Sequence, residues 1–342
     1  DARVGGNIGE PLVGLIEGST EETVFAVEAS SFQLEGITTF RPRVAVFLNL
    51  SADHLDRHAS FADYARAKAR IFENQQPEDW AVVNADDAGV LELARGTRAR
   101  LVRFSPRDAK APHPASAQAG DVAYIEDGRA VLRRDGKSET LFEGSAVRLP
   151  GPHLTGDLLA AAVAARLLGA PAGDVARAVA GFTGVEHVLE LVAEARGVRF
   201  FNDSKATNVD AAEKSLSSFD TPVLSIVGGR YKGGDFALLR PAVAARCKAV
   251  FAIGEATDRV REALAPVVAV VGCRSLREAV ERAHAMAAPG DTVLLAPACS
   301  SFDMFKDYAD RGRAFKEEVR RVLARRMGAR SGNGRRGKGG RG

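Results

Sequence analysis

The chain has 342 residues, 46% of them hydrophobic, and at ~150 residues per domain this length predicts two globular domains. No stretch approaches the ~20 consecutive apolar residues that span a bilayer, and no secretory leader pattern is present, so we expect a soluble, cytoplasmic protein without a membrane partner. The net charge is only +3, and the three widely spaced cysteines argue against a disulfide framework or a zinc cluster.

The first third of the chain predicts buried parallel strands joined by helices. Residues 23–30 and 44–50 are short β-branched and aromatic runs with polar residues at their ends, and "WAVVN" at 80–84 is a third. Between them, residues 60–73 have helical periodicity with Ser60 as the expected N-cap. Lys68 falls on the apolar side of this helix.

The middle of the chain predicts hairpins and then helices. Asp127-Gly128 and Asp135-Gly136 are strong two-residue hairpin turns. Helices are predicted at 157–168 and 172–182, and a domain boundary near residue 185.

From Val198 onward, strands and helices alternate up to a final helix that is predicted to end near Arg326. This alternation predicts a doubly wound α/β domain with a largely parallel sheet. The last sixteen residues carry five basic side chains and no acid, which leaves the rest of the chain at about −2 (3 − 5). We therefore expect a disordered basic tail at 327–342 and no nucleic-acid partner.

Ligands bind at the carboxyl ends of strands in open α/β sheets, and two groups of polar residues stand at those positions here. The first group combines acids with an imidazole and suits Mg²⁺, while the second combines amines with hydroxyls and suits a carboxylate or phosphate. Together they predict phosphoryl transfer to, or amide formation with, an anionic substrate. The first group is Glu28, Ser30, Ser31, Asn49, Asp53 and His54; the second is Asn202, Asp203, Ser204, Lys205, Thr207, Arg230, Lys232, Ser300 and Ser301.

Several of these residues also have ordinary structural explanations. Asp203 and Ser204 would cap the following helix, although capping leaves Lys205 and Thr207 unexplained. Lys68 would extend its amine to water, or, if buried near Mg²⁺, lose its proton and react with CO₂ to give a carbamate ligand. His187 would be a packing residue at the domain junction.

A set of motifs, taken together and in order, resembles the Mur ligase family over nearly all of residues 4–326. "SSFQLE" and "NDSKATN" favour its D-glutamate-adding branch. The motifs are "VGGNIGEPL", "VEASSFQLE", "NLSADHLDRH", "YARAKARIFENQ", "VVNADD", "FFNDSKATN", "VGGRYKGGDF" and "LLAPACSSFDMFKDYADRGRAF".

The resemblance implies an α/β protein with a central ATP-binding domain at 1–184, incomplete at its N-terminus, with a parallel-rich sheet plus a small antiparallel sheet. A Rossmann-like amino-acid-binding domain follows at 185–326. The implied activity is ATP- and Mg²⁺-dependent ligation of D-glutamate to UDP-N-acetylmuramoyl-L-alanine through an acyl phosphate, in peptidoglycan precursor synthesis, by a monomer.

The resemblance also implies roles for individual residues. Lys68, His54 and Lys205 match catalytic positions, and Lys68 is the family's carbamylated lysine. The metal ligands would be Glu28, His54 and Lys68; the nucleotide contacts Asn7, Asp203 and His187; and the D-glutamate contacts Lys205, Thr207, Lys232, Ser301 and Phe302.

The chain departs from the family pattern in its nucleotide contacts. It has no G-T-N-G-K-[ST] loop and no uridine-binding domain, which we interpret as truncation. Val188 stands where the family usually has arginine, and Leu154 and Asp157 stand where it usually has asparagine. Two alternatives therefore remain: an inactive relative or fragment that acts by binding, and another Mur or folate-polyglutamating ligase.

Overall fold

The computed structural model describes residues 1–54, 57–108 and 120–331, with side chains up to residue 324. These residues form two compact units, each described by itself below. The first comprises Asp1–Ala146 and Gly156–Ala180, and the second comprises Val147–Thr155 and the chain from Gly181 onward. The sequence predicted one domain boundary, between residues 184 and 185. In the structure, a short earlier segment, Val147–Thr155, also belongs to the second unit.

The first unit contains two sheets. The pair β1 and β2 is parallel, and the order of the larger sheet is β3-β4-β5-β6-β7-β8, parallel as far as β6 and antiparallel thereafter. Its strands are β1 (Ala2–Gly6), β2 (Val24–Glu28), β3 (Val44–Phe47), β4 (Trp80–Asn84), β5 (Arg100–Asp108), β6 (Asp121–Glu126), β7 (Arg129–Arg134) and β8 (Lys137–Glu143). Its helices are α1 (Ser31–Glu35), α2 (Phe61–Ala69), α3 (Ala88–Ala94), α4 (Pro152–Leu167) and α5 (Ala172–Gly181), with 3₁₀ turns at Leu12–Leu15, Arg70–Phe72 and Gly144–Ala146. The start of α4, up to Thr155, and the last residue of α5, Gly181, belong to the second unit.

The hairpins form as the sequence predicts. Asp127 and Gly128 have φ of 49° and 77°, and Asp135 and Gly136 have φ of 49° and 74°, which is the left-handed pair that a two-residue turn requires. The antiparallel strands extend the parallel sheet rather than forming the separate small sheet that was expected.

The second unit is a doubly wound α/β domain. Its strand order is β13-β12-β11-β14-β10-β9, and every pair is parallel except β9 with β10. Its strands are β9 (Glu190–Ala195), β10 (Val198–Asn202), β11 (Val223–Gly228), β12 (Cys247–Ile253), β13 (Ala269–Gly272) and β14 (Thr292–Leu295). Its helices are α6 (Val209–Ser217), α7 (Arg240–Arg246) after a 3₁₀ turn at Phe236–Leu239, α8 (Thr257–Leu264), α9 (Leu276–Met286) and α10 (Tyr308–Ser331).

The predicted α/β fold class is confirmed, with corrections at helix ends. Helix α4 begins at Pro152 rather than at residue 157, because proline is favoured in the first turn. Helix α10 continues to Ser331, so the expected tail at 327–342 begins as helix, and its remainder lies outside the described residues. None of the helices in the described ranges has the length and apolar character needed to cross a membrane.

Candidate functional site

The carboxyl ends of β1 and β2 hold the first pair of candidate residues. Gly6 pairs with Glu28, and a Cβ at Gly6 would lie 2.4 Å from the Glu28 carbonyl oxygen, so glycine permits this close approach. The backbone N–H of Asn7 donates to that carbonyl at 2.8 Å. Its side-chain Nδ2 donates to Glu28 Oε1 at 2.9 Å. Asn7 therefore orients the Glu28 carboxylate.

His54 follows β3 along the chain and has an unusual backbone conformation. Its φ is +54°, a left-handed value that non-glycine residues adopt at some cost. Asp53 contacts both the backbone and the ring of His54, since its Oδ1 accepts from the His54 N–H at 2.8 Å and its Oδ2 lies 3.8 Å from His54 Nε2. The rings of His54 and Phe32 pack edge to face, with their centroids 5.1 Å apart.

Lys68 lies half-buried on α2, as the helical periodicity predicted. Ser60 caps this helix by accepting from the Asp63 N–H at 3.1 Å. The Lys68 Nζ lies 5.4 Å from the centroid of the Tyr64 ring. Burial lowers the pKa of Lys68, and the charges of Asp53 and Glu28 partly oppose that shift. Burial of the Tyr64 hydroxyl, together with the charge of Asp53, raises the pKa of Tyr64 to about 12.

These first-unit side chains fit a divalent cation with hard ligands. They supply one oriented carboxylate, one imidazole, a second carboxylate at Asp53 and an amine whose proton is weakly held. Asp53 was noted in the sequence only as a strand-end acid. The charge it exerts on Lys68 and Tyr64 identifies it as part of the same group.

The second group lies on the loop after β10, "DSKATN" at 203–208. The Lys205 N–H donates to the His187 carbonyl at 3.1 Å, and the Ala206 N–H donates to the Asp203 carbonyl at 2.9 Å. The N-cap of α6 is Asn208, whose side chain accepts from the Ala211 N–H at 2.8 Å. Capping by Asp203 and Ser204, the structural explanation considered above, is therefore wrong.

Asp203 is instead an interior carboxyl group. Its Oδ2 accepts from the Ser215 hydroxyl on α6, and its Oδ1 accepts from the Leu189 N–H at 3.3 Å. Burial raises the pKa of Asp203 to about 6, despite these donors and the nearby charge of Lys205. All these partners belong to the second unit.

Two further loops adjoin the Asp203–Asn208 loop in the second unit. Ala298 N–H donates to the Ala206 carbonyl at 2.9 Å, and Arg230 N–H donates to the Ser300 carbonyl at 2.9 Å. Gly229 has φ of +134°, and a Cβ there would lie 2.3 Å from the Ser300 oxygen. The loops after β10, β11 and β14 thus meet at one edge of the sheet.

Arg311, on α10, joins these loops from inside the protein and is fully buried. Its Nε donates to Ser204 Oγ at 2.9 Å, and one terminal nitrogen donates to the carbonyls of Ser204 and Cys299 at 2.9 and 3.1 Å. The other terminal nitrogen donates to the Ser300 carbonyl at 3.3 Å. Burial lowers the pKa of Arg311 to about 10. The sequence did not single out Arg311, since its partners are mostly backbone oxygens that carry no sequence pattern.

The residues expected to contact D-glutamate lie on these three loops. Lys205, Thr207 and Lys232 are half-buried, and Ser301 is buried. Phe302 is 63% exposed, so its ring is available to a ligand rather than to the core.

His187 is buried in an ion-pair cluster. Its Nδ1 lies 2.9 Å from Asn202 Nδ2, and its ring packs against Gly312, where a Cβ would lie 2.3 Å from Nδ1. Ligand atoms of Glu186, His187 and Glu190 lie within 4.8 Å of one another, as in a metal site. The Lys316 ammonium, however, pairs with both glutamates. This environment agrees with the packing explanation, and a nucleotide contact by His187 stays a prediction.

Two of the three positions that depart from the family pattern are explained by the core, whereas Asp157 is exposed on α4. Leu154 is buried in the hydrophobic core of the second unit, and Val188 packs against the same core. Arg199 does not replace the missing arginine, because it lies near the start of β10 and donates to Thr221 Oγ1 at 3.1 Å. That end of the strand is opposite to the loop at Asp203.

Comparisons with known proteins match both units. A model of the Mur ligase middle domain matches residues 12–165, and a model of the Mur ligase glutamate ligase domain matches residues 189–299. The UDP-N-acetylmuramoylalanine–D-glutamate ligase of Geotalea daltonii is 44% identical over 317 residues, covering 93% of this chain and 68% of that protein. The protein of the same name from Acidobacterium capsulatum is 43% identical, covering 93% and 67%.

Solved structures support the fold. MurF ligase from Thermotoga maritima in complex with ADP has a TM-score of 0.64 at 16% identity, covering 94% of this chain and 74% of that one. A pseudomurein peptide ligase type C from Methanothermus fervidus has a TM-score of 0.64 at 15% identity, covering 88% and 68%. The resemblance seen in the sequence is confirmed: the chain belongs to the Mur ligase family, in the branch whose curated members are D-glutamate ligases.

Proposed function

We propose that this chain carries the metal-dependent and amino-acid-binding parts of an enzyme that ligates D-glutamate to UDP-N-acetylmuramoyl-L-alanine at the expense of ATP. The observation that carries this proposal is the 44% identity to a D-glutamate ligase along 93% of the chain. The two groups of polar residues at strand ends supply the chemistry that such a reaction requires.

The proposed reaction has two steps. A carboxylate oxygen of the alanyl group attacks the γ-phosphorus of ATP and forms an acyl phosphate. The bond between that phosphorus and the bridging oxygen of ADP breaks, and ADP leaves. The neutral amine of D-glutamate then attacks the acyl carbon, and the tetrahedral intermediate expels phosphate while the amine loses a proton. Positioning and charge stabilisation dominate such transfers.

The first unit would hold Mg²⁺ through Glu28, His54 and the carbamate of Lys68. When bound, the ion would neutralise phosphate oxygens of the nucleotide. The lowered pKa of Lys68 supports the carbamate, because only the neutral amine reacts with CO₂. Asn7 would keep the Glu28 carboxylate in its orientation through the hydrogen bond at 2.9 Å.

The second unit would bind D-glutamate at the three joined loops. Lys205 and Lys232 are the cations available to the two substrate carboxylates, and Thr207 and Ser301 offer hydroxyls. Because the loops share backbone hydrogen bonds and Arg311, the backbone that carries these donors is held together before the amino acid arrives.

The test is phosphate release by the full-length gene product with ATP, Mg²⁺ and UDP-N-acetylmuramoyl-L-alanine. We expect D-glutamate to stimulate release strongly and L-glutamate to stimulate it weakly. Equal stimulation by both enantiomers would reject the D-glutamate assignment and favour another ligase of the family.

Val188 and Leu154 favour one rival, a relative that binds without turnover. Both side chains pack with the core, so neither supplies the polar group that the family usually places there. A full-length product that binds D-glutamate in calorimetry but releases no phosphate would support this rival and reject the enzyme.

A further inference from the structure

His58 is a buried histidine next to the proposed metal residues, and the family resemblance gives it no role. It is 6% exposed, and its backbone N–H, like that of Arg57, donates to the His54 carbonyl at 3.0 Å. The imidazole of His58 contacts residues of both α1 and α2.

Two polar side chains of α1 anchor this imidazole. The Ser31 hydroxyl and His58 Nε2 share a hydrogen bond of 2.9 Å, and Glu35 Oε1 lies 3.4 Å from Nδ1. The serine, histidine and carboxylate are arranged as in a hydrolase triad. Ser31 is only 2% exposed, however, so its hydroxyl cannot reach a substrate, and the contacts serve to fix the ring.

The fixed ring contacts two aromatic residues that in turn border the metal residues. The His58 ring stacks on the Phe32 ring, with 5.4 Å between their centroids and 3° between their planes. Phe32 in turn packs edge to face with His54. His58 also meets the ring of Tyr64 at 5.3 Å and 64°, and Tyr64 faces the Lys68 amine. One aromatic ring therefore separates His58 from each of the two side chains.

We propose that His58 is a positioning residue, which holds His54 and Lys68 in the orientation that binds the metal. The inference rests on the proposed function, because it takes His54 and Lys68 as metal ligands. Hydrogen-bonded partners outside the ligand set orient metal ligands, and their loss typically weakens metal binding 10- to 100-fold. His58 acts on His54 and Lys68 through the packed rings of Phe32 and Tyr64, so we expect an effect at the lower end of that range.

The experiment compares three variants of the full-length gene product. His58→Gln keeps a polar partner for Ser31 but removes the ring, while Ser31→Ala keeps the ring and removes its anchor. The control is His284→Gln, which changes another buried histidine, one that packs against Phe200 in the second unit. The probe is Mn²⁺ alone, with binding followed by loss of the free-ion electron paramagnetic resonance signal.

We expect His58→Gln to weaken Mn²⁺ binding about 10-fold, and Ser31→Ala to weaken it less. In ligation assays His58→Gln should lower kcat and raise the Mg²⁺ requirement, with the KM for D-glutamate within about 2-fold of wild type. His284→Gln should leave Mn²⁺ binding unchanged whatever it does to Tm.

An unchanged Mn²⁺ dissociation constant in folded His58→Gln overturns the inference. The inference is also overturned if the Mn²⁺ dissociation constant and the KM for D-glutamate rise by the same factor. If His58→Gln does not fold, the same Mn²⁺ titration of Ser31→Ala decides, and wild-type affinity there overturns the inference. A wild-type protein that binds Mn²⁺ yet does not ligate D-glutamate rejects the proposed function alone.

Discussion

Lys68 is half-buried near two acids, so burial and the nearby charges shift its pKa in opposite directions. Burial favours the neutral amine, while Asp53 and Glu28 favour the ammonium, and the net effect is a lowered pKa. A carbamate would change the sign of the group and fit a cation bound by those acids. The helical pattern predicted that Lys68 faces inward, but only the folded chain brings the acids to it.

Replacing Lys68 by alanine removes a metal ligand in this proposal. Loss of an outer partner of a metal site already costs about 10- to 100-fold, so we expect Lys68→Ala to lower the ligation rate of the full-length product roughly 100-fold or more. Added bicarbonate should not restore it.

The matched control for Lys68→Ala is Lys214→Ala, which removes a half-buried lysine paired with Asp210 within α6. Its rate should stay near wild type. Substantial ligation by Lys68→Ala would show that Lys68 only extends its amine to water.

Asp203 gives a pH prediction because its pKa is raised to about 6 by burial. The folded state therefore holds its proton more tightly than the unfolded state. The resulting stabilisation is complete below about pH 4 and is lost as the pH rises to about 6. Each pKa unit corresponds to about 1.4 kcal/mol, so at pH 8 the ionised carboxylate costs up to about 3 kcal/mol.

Asp203→Asn should therefore raise the free energy of unfolding at pH 8 by up to about 3 kcal/mol relative to wild type. The gain should shrink as the pH falls from about 6 to 4, which denaturant titrations at several pH values would measure. Asp210→Asn, which removes a carboxylate paired with Lys214 at the surface of α6, serves as control and should change the free energy of unfolding by less than about 1 kcal/mol. A constant difference at all pH values would contradict the assignment of a raised pKa.

At the scale of elements, α10 holds the loops of the proposed D-glutamate site through one guanidinium. Arg311 has five donors in a planar fork, which lysine cannot reproduce. Arg311→Lys should therefore raise the KM for D-glutamate about 10-fold or more while the KM for ATP changes little, and it should lower Tm because buried carbonyls lose their donors.

Arg313→Lys tests whether any change on α10 has this effect. Arg313 lies two residues further along the helix and pairs with Asp310 at the surface. The KM values of Arg313→Lys for D-glutamate and ATP should match those of the wild type. If Arg311→Lys raised both KM values equally, Arg311 would stabilise the fold without specifically ordering these loops.

Elements with a strong local pattern were predicted from the sequence, and those without one were not. Hairpin turns at two Asp-Gly pairs and the capped helix α2 follow from local chemistry. Strand β9 was missed because "ELVAEA" is rich in helix formers and lies at a sheet edge, where only pairing with β10 makes it a strand. Helix α1 was missed because its five residues are too few to show a period.

At the scale of the whole chain, the strand-end rule predicted which loops carry chemistry but not which groups join them. Asp53, Glu28 and Lys68 are far apart in sequence, and their electrostatic coupling depends on tertiary packing. The contacts of Arg311 with Ser204 span 107 residues and involve a backbone oxygen. Such partners cannot be inferred from residue types in one sequence.

The proposed magnesium residues lie in the first unit and the proposed D-glutamate residues lie in the second, and hydrogen exchange of the full-length product can test both assignments. Added D-glutamate should slow exchange in the loops at 203–208, 228–232 and 298–302, because a ligand reduces local opening where it binds. Mg²⁺ with ADP should slow exchange around Glu28 and in α2. The hairpins at 121–143 should not respond to either ligand.

L-Glutamate at the same concentration is the matched control for this experiment. It carries the same charges but presents its amine differently, so it should protect the three loops less than D-glutamate does. Protection of the β1–β2 segment by D-glutamate alone, with no change at 203–208, would place the amino acid in the first unit and reject the assignment of Lys205 and Lys232. Because both outcomes concern exchange rather than turnover, the result holds even if Val188 weakens nucleotide binding.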